Sequence, residues 1–143
     1  MTVKAILTTK GSDVATIEPT ANVGAAVKLL AGRRIGAVVV TGPEQRVVGI
    51  VSERDVVRAL DQHGDIALAL PLTEVMTRRV ETCAPSDTIS SIMERMTAGK
   101  FRHVPVVEQG RLSGIVSIGD VVKHRLQEME REQAALRDYI QTA

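Results

Sequence analysis

Hydrophobic positions along the chain follow two spacings in turn, and the whole pattern occurs twice. A helical spacing of three and four residues runs through Val23–Leu30 and again through Ile89–Met96. Each helical stretch precedes a pair of short runs rich in β-branched residues, which favour strands. The four runs are Ala37–Thr41, Val47–Val51, Val104–Val107 and Leu112–Val116. Polar, turn-forming residues separate the runs of each pair, so each pair is predicted to form a β-hairpin.

The two patterns are copies of one repeat. Thr16-Ile17-Glu18-Pro19 corresponds to Thr82-Cys83-Ala84-Pro85 at a spacing of 66 residues, and Gly49 to Gly114 at a spacing of 65. Each copy begins with a short extended segment, Ala15–Ile17 or Val80–Cys83, and ends in a second helix. Both copies therefore predict the order β-α-β-β-α, with Asn22 and Thr88 suited to cap the first helices. One unit is too small to bury its own sheet well, so we expect an α+β (mixed α/β) fold in which the two repeats pack together.

The division of the chain follows from these repeats. We expect the first repeat over residues 1–64, the second over 65–126 and a C-terminal helix over 127–143. Asp61–Asp65 is polar and is predicted to be an exposed linker, whereas Val3–Leu7 and Leu72–Thr77 are predicted to form helical turns.

The C-terminal helix carries a narrow apolar stripe at alternating spacings of four and three residues. Its members are Val122, Leu126, Met129, Gln133, Leu136 and Ile140. This spacing is typical of a coiled-coil seam about two and a half heptads long. Two interpretations remain open: the helix lies back on its own domain, or it associates with another copy.

Composition excludes several classes of protein. The 143 residues have a net charge of +1 and contain one Phe, one Tyr and no Trp, which disfavours nucleic-acid binding. No apolar run is long enough to span a membrane, and the start of the chain lacks the layout of a secretory signal. The single Cys suits a reducing compartment, so a cytoplasmic location is expected.

Metal binding and catalysis are also not expected. The three His residues and the Cys are dispersed without ligand spacing (His63, His103, His124 and Cys83). Motifs of nucleophilic and nucleotide-hydrolysing enzymes are missing from the sequence, so we predict a protein that is not an enzyme.

The repeated junction between the last strand and the second helix holds the candidate chemistry. It reads Gly49-Ile50-Val51-Ser52 with Asp55 in the first copy, and Ser117 with Asp120 in the second. A Ser followed three residues later by Asp can simply be a capping box. Alternatively, the free N–H groups of the helix N-terminus bind a phosphate while the carboxylate accepts from the hydroxyls of a ribose. That combination would recognise a nucleotide.

These two junctions, together with Arg102-His103-Val104-Pro105-Val106-Val107, resemble the CBS domain in its tandem-pair form, the Bateman module. The resemblance implies a pseudo-two-fold pair with two clefts that bind adenosine compounds: AMP, ADP, ATP, NAD(H) or S-adenosylmethionine. It also implies a homodimer and an unknown regulated protein.

Further site residues follow from the resemblance. Thr16, Ile17, Thr82 and Cys83 match positions that bracket the base, and Arg102 and His103 match positions that contact phosphates. At the equivalent place in the first repeat, the small residues Gly36 and Ala37 would let a base approach the backbone, and the adjacent Ile35 is also a candidate site residue. Arg102 could equally be a surface charge, and His103 a packed strand residue.

The junctions themselves differ, since the first contains Glu53-Arg54 and the second Ile118-Gly119. Arg54 therefore makes the first junction the better candidate for phosphate binding, and we expect unequal affinities or different ligands in the two clefts. The sequence thus predicts a regulatory module that senses adenosine nucleotides. The alternative is a structural or oligomerisation domain without a physiological ligand.

Overall fold

A computed structural model describes residues 1–142 of the chain. In chain order its helices and strands are α1 (Val3–Lys10), β1 (Thr16–Ile17), α2 (Val23–Arg33), β2 (Ala37–Thr41), β3 (Val47–Ser52), α3 (Glu53–His63), α4 (Ile89–Gly99), β4 (His103–Glu108), β5 (Arg111–Ser117) and α5 (Ile118–Thr142). Short 3-10 segments cover Pro43–Gln45, Gly64–Ala69 and Leu72–Glu74. Ala143, which the sequence assigns to the C-terminal helix, lies outside the described residues. The predicted mixed fold, with two repeats and a long C-terminal helix, is confirmed.

The sheets of the two repeats differ by one strand. In the first repeat β1 pairs in parallel with β2, and β2 pairs antiparallel with β3. In the second repeat β4 and β5 form the same hairpin, but the predicted strand at Val80–Cys83 is reduced to a single bridge between Cys83 and Val106.

A proline explains the missing strand. The amide of Val39 in β2 donates to the carbonyl of Ala15 at 3.1 Å, just ahead of β1. Pro105 takes the place of Val39 in the second repeat and has no N–H to donate. The corresponding ladder bond cannot form, so the pairing stays limited to Cys83.

The prediction of a linker at Asp61–Asp65 was wrong in conformation, although the five residues are exposed. Helix α3 continues to His63, and a 3-10 segment begins directly at Gly64. Gly64 has a φ of 62°, which allows the helix to end and the chain to turn within one residue.

Each repeat is completed by the segment that precedes the other. Val3 and Ile6 of α1 are fully buried in the core formed by α4, β4 and β5 of the second repeat. Reciprocally, Leu72 and Met76 lie in the core of the first repeat. Neither repeat therefore buries its core without the segment that precedes the other repeat. We call these two segments, residues 3–15 and 72–81, the leading segments.

This exchange accounts for the glycine that begins each junction motif. A Cβ placed on Gly114 would lie 2.8 Å from Cδ2 of Leu7, which belongs to α1. At Gly49 a Cβ would lie 3.2 Å from the carbonyl oxygen of Thr77 and closer still to Met76. Because the leading segments pass directly over both strands, only glycine fits without a shift.

Helix α5 leaves the domain after its first three turns. Val121 and His124 are buried against the second repeat, whereas every residue from Met129 to Thr142 is exposed. The interpretation that this helix lies back on its own domain is therefore wrong for its C-terminal half.

Candidate functional site

Both junctions form complete capping boxes. The Ser52 hydroxyl accepts from the Asp55 amide at 3.3 Å, and the Asp55 carboxylate accepts from the Ser52 amide at 2.8 Å. Ser117 and Asp120 repeat this arrangement at 3.2 and 2.9 Å. The capping interpretation is thus correct for both helices. It does not exclude ligand binding, since a carboxylate has about four lone-pair sites.

Two clefts flank the junctions, and we call them cleft A and cleft B. Cleft A has a volume of about 510 Å³ and contains the first junction, Ser52 to Asp55. Cleft B has a volume of about 640 Å³ and contains Ser117 of the second junction. Both volumes suit a small-molecule ligand of nucleotide size.

The leading segments that cross between the repeats also supply one wall of each cleft. Cleft A is lined by Thr77, Arg79, Val80 and Glu81, which follow the segment packed on the first repeat. Cleft B is lined by Lys10 at the end of α1 and by Asp13, Val14 and Ala15. Residues of both repeats therefore line each cleft. The crossing segments also give Asp55 and Asp120, the carboxylates of the two junctions, different hydrogen-bond partners.

Asp55 is 5% exposed and has partners on both oxygens. Its Oδ2 accepts from the Ser52 amide and hydroxyl, and its Oδ1 accepts from the Thr77 hydroxyl at 3.0 Å. The Arg58 guanidinium lies 3.5 Å from the same Oδ1. A ligand hydroxyl would have to share Oδ1 with these two groups.

Asp120 is more open and is held by a lysine. Its Oδ2 accepts from Lys10 Nζ at 2.7 Å and from the amide and hydroxyl of Ser117. Burial opposes ionisation of Asp120, but these hydrogen bonds outweigh it and hold the pKa of the carboxyl below its usual value. Within residues 1–142 no hydrogen bond reaches Oδ1, which leaves that oxygen available to a ligand hydroxyl.

Unpaired positive charge is concentrated in cleft A. Its lining includes Arg54, Arg79, Lys100 and Arg102, none of which has a carboxylate within ion-pair distance among the described residues. In cleft B, Lys10 is paired with Asp120, and Arg33 lies 3.8 Å from Asp13. Arg34 is then the one unpaired cation of cleft B within the described part of the chain.

Two of these cations occupy equivalent, unusual backbone positions. Lys100 follows α4 and Arg34 follows α2, 66 residues apart, and both adopt the left-handed conformation with φ of 57° and 54°. Glycine is the usual residue at this position after a helix. A basic side chain is retained at both cleft rims despite the backbone cost.

His103 and Gly36 line both clefts and mark the place where they meet. A Cβ on Gly36 would lie 3.0 Å from the His103 ring, so a larger residue at position 36 would displace the ring. Burial lowers the pKa of His103; Glu53 opposes this effect, while Lys10 adds to it. The imidazole is therefore neutral at neutral pH.

Most of the predicted site residues lie in the clefts. Cleft A contains Gly36, Ser52, Arg54, Asp55, Arg102 and His103. Cleft B contains Ile35, Gly36, Ala37, His103 and Ser117, with Asp120 attached through Ser117 and Lys10.

Six predicted residues do not line either cleft: Thr16, Ile17, Thr82, Cys83, Gly119 and Asp120. Ile17 packs against the core of the first repeat, and Cys83 is buried in that of the second. Val14 and Val80, two or three residues earlier, supply the apolar wall instead. Their equivalence at a spacing of 66 was visible in the sequence.

Three cations of cleft A were missed by the sequence reasoning: Arg58, Arg79 and Lys100. Lys10 and Arg34 were missed in cleft B. Arg34 and Lys100 could have been found, because both follow the first helix of their repeat at the common spacing. Lys10 and Arg79 could not, since only the exchange of leading segments brings them to the site.

The part of the chain that the structure describes contains no cluster of His, Cys, Asp or Glu that could hold a metal ion. Among the same residues, no helix is long and apolar enough to cross a membrane.

Comparison with known proteins identifies relatives for nearly the whole chain. The family profile named CBS domain matches residues 3–62 and 72–127. The mitochondrial CBS domain-containing protein CBSX3 of Arabidopsis thaliana is 34% identical over 120 residues, which are 81% of this chain and 58% of that protein. The chain therefore spans a little over half the length of that relative.

Solved structures show the same fold. The CBS-domain containing protein ATU1752 of Agrobacterium tumefaciens is 47% identical with a TM-score of 0.84, over 87% of this chain and 99% of that one. Protein PAE2072 of Pyrobaculum aerophilum, solved in complex with AMP, is 30% identical with a TM-score of 0.75, and the match covers 84% of this chain and 89% of that one. The CBS domain pair of protein MJ0100, solved with 5-methylthioadenosine and S-adenosyl-L-methionine, is 25% identical with a TM-score of 0.79. The match covers 90% of this chain and 98% of that one.

Proposed function

The chain belongs to the CBS domain family as a tandem pair, and from this membership we propose that it is a regulatory module that binds adenosine nucleotides in clefts A and B. Family members of this kind are generally regulatory, and the relatives solved with AMP and with S-adenosyl-L-methionine support an adenosine ligand. We propose accordingly that the chain has no catalytic activity of its own.

The observation that carries the proposal is the composition of cleft A. The N-terminus of α3 lies beside four unpaired cations, although its Glu53 and Asp55 amides already donate to Gly36 and Ser52. The apolar side chains of Ile50, Val80 and Phe101 line the same cleft. The cations and the helix end suit phosphates, whereas the apolar wall suits a base.

The charge difference between the clefts predicts different ligands. Four unpaired cations in cleft A favour a polyphosphate such as ADP, ATP or the pyrophosphate of NAD(H). Cleft B offers one unpaired cation, Arg34. Asp120 does not line cleft B but is bonded to its lining residues Lys10 and Ser117, and its Oδ1 accepts no hydrogen bond from the described residues. We propose that it prefers adenosine compounds with less negative charge than ADP or ATP, and S-adenosylmethionine, which has no phosphate, above AMP.

The two second helices provide a route from ligand to partner. Their N-termini form the clefts, and their outer faces expose Val57 and Leu60 on α3 and Ile118 and Val122 on α5. Val57 and Val122 occupy matching positions of the two repeats, and exposed apolar side chains of this kind suit a protein contact. A ligand that shifts either helix end would thereby change the surface presented to a partner or to a second copy.

Calorimetric titration with AMP, ADP, ATP, NAD(H) and S-adenosylmethionine tests the proposal. Removing one charge-assisted phosphate contact costs about 1.5–3 kcal/mol, so Arg54→Ala should weaken ATP binding roughly tenfold or more. Arg46→Ala is the matched control, because Arg46 is exposed and outside both clefts. Equal affinities of the two variants would contradict the assignment of cleft A.

A structural domain without a ligand is the second candidate, and one observation favours it. The capping boxes at Ser52 and Ser117 are complete within the chain, so the repeated motif has a structural role without a ligand. This candidate predicts no heat of binding and no ligand-dependent rise in melting temperature with any of the five compounds. A rise with one of them would eliminate it.

A further inference from the structure

The exposed half of α5 is a projecting helix with an uncovered apolar stripe. Fourteen residues, Met129 to Thr142, are all exposed and extend about 20 Å beyond the domain at 1.5 Å per residue. Leu126, Met129, Leu136 and Ile140 are 45–65% exposed. An isolated helix of this length is marginal in water, so its apolar side chains call for a partner surface.

The stripe is directed away from the chain's own domain. The side of α5 that packs on the second repeat carries Val121 and His124. At 3.6 residues per turn, the centre of the stripe lies roughly a third of a turn from these two residues. A second helix can therefore approach the stripe without displacing Val121 or His124 from the second repeat.

We propose that this helix pairs with the same helix of a second copy in a parallel, two-stranded coiled coil. In heptad terms Leu126, Gln133 and Ile140 occupy position a, and Val122, Met129 and Leu136 occupy position d. A parallel pair places each a or d residue opposite its own copy. The amides of the two Gln133 side chains then bond to each other, and the remaining layers are apolar.

Flanking charges distinguish the parallel pair from other arrangements. In a parallel coiled coil, position g faces position e of the next heptad on the partner helix. Arg125 then faces Glu130, and Glu132 faces Arg137, so twofold symmetry gives four attractive pairs. No like charges meet at these positions.

The antiparallel arrangement is disfavoured by the same residues. With the stripes fully overlapped, position e faces e and position g faces g. Glu130 would then meet Glu130 of the other copy, Glu132 would meet Glu132, and Lys123 would meet Arg137. Gln133 would face the apolar Met129 and leave its amide without a partner. Charge and polarity therefore both select the parallel pair, whatever the clefts bind.

Oxidative cross-linking of the full chain tests the orientation. Ile140→Cys places a thiol at an a position near the helix end, opposite its own copy only in the parallel pair. The matched control is Asp138→Cys, two residues away on the outer face. Cys83 does not compete, because it is buried. Strong disulfide formation for Ile140→Cys with little for Asp138→Cys is expected, and equal yields would overturn the proposal.

Charge reversal tests the partner contacts by sedimentation equilibrium. Arg137→Glu replaces two attractive pairs with two repulsive ones and should raise the dimer dissociation constant roughly tenfold at low salt. The double variant Glu132→Arg with Arg137→Glu restores opposite charges and should recover the affinity. A monomeric wild-type chain, or no recovery in the double variant, would contradict the proposal.

Discussion

The left-handed residue Lys100 offers a way to separate folding from ligand binding. Its φ of 57° and ψ of 35° cost an L-amino acid about 1–2 kcal/mol relative to glycine. Lys100→Gly removes this cost but adds about 0.5–1 kcal/mol of chain entropy to the unfolded state. We therefore expect a net gain of about 0.5–1 kcal/mol in the free energy of unfolding, or roughly 2–4 °C in melting temperature.

The same substitution removes one of the four unpaired cations of cleft A. If Lys100 contacts a phosphate, ATP binding should weaken roughly tenfold, because a charge-assisted contact is lost. Lys100→Ala is the informative control: it removes the charge but leaves a Cβ in the left-handed conformation. It should weaken binding equally and give no gain in stability.

Urea unfolding and calorimetric titration of the two variants measure both effects. The reasoning fails on the backbone side if Lys100→Gly unfolds at lower urea than the wild type. It fails on the functional side if both variants bind ATP as tightly as the wild type. Arg34→Gly should give a similar gain in stability but leave ATP binding in cleft A unchanged, since Arg34 lines cleft B.

Three further predictions follow from burial and hydrogen bonding. Asp55→Ala removes three hydrogen bonds at a 5% exposed carboxylate and should lower the free energy of unfolding in urea by about 2–4 kcal/mol. Asp120 is more exposed, so Asp120→Ala should cost about 1–2 kcal/mol, and equal costs would contradict this reasoning. Because the folded-state pKa of His103 is lowered, the unfolded chain binds a proton first as the pH falls below about 6.5. Unfolding free energy should thus decrease more between about pH 7.5 and 5.5 in the wild type than in His103→Gln, and parallel curves would refute it. Burial, with the Asp87 charge, raises the pKa of the Cys83 thiol to about 12. A thiol reagent at pH 8 should therefore label Cys83 only when the chain unfolds, and rapid labelling of the native chain would contradict this prediction.

The sequence predicted the elements of the fold well because each is determined locally. Helical and strand periodicities placed all four hairpin strands within about one residue at each end. Asn22 and Thr88 cap their helices as expected, accepting from the amides of Ala25 and Ser91. These features depend on residues close in sequence, where propensity and pattern agree.

Long-range arrangements were beyond the sequence. The strand expected at Val80–Cys83 is lost because Pro105, more than 20 residues away, cannot donate a ladder bond. Likewise, nothing in the local pattern of α1 shows that Val3 and Ile6 belong to the core of the opposite repeat. The junction motifs identified the clefts, but the cations that cross from the other repeat were found only in the structure.

The exchange of leading segments also explains why two nearly identical motifs form unequal sites. The sequence difference at the junctions, Glu53-Arg54 against Ile118-Gly119, is only part of the cause. Another part lies outside the motifs: the leading segments give Asp55 a neutral Thr77 hydroxyl and Asp120 the Lys10 ammonium, while the cationic partner of Asp55 is Arg58 of its own helix.

Lys10 thereby neutralises Asp120 and consumes the cation that a phosphate in cleft B would need. In cleft A the leading segment contributes Arg79, and Asp55 is paired with Arg58, so that four other cations stay without a carboxylate partner among the described residues. Because His103 lines both clefts, a phosphate that bound in cleft A as proposed would share this ring with cleft B. Occupation of one cleft should therefore alter the electrostatics of the other, and this coupling would let a tandem pair respond to the ratio of two adenosine compounds instead of to the concentration of one.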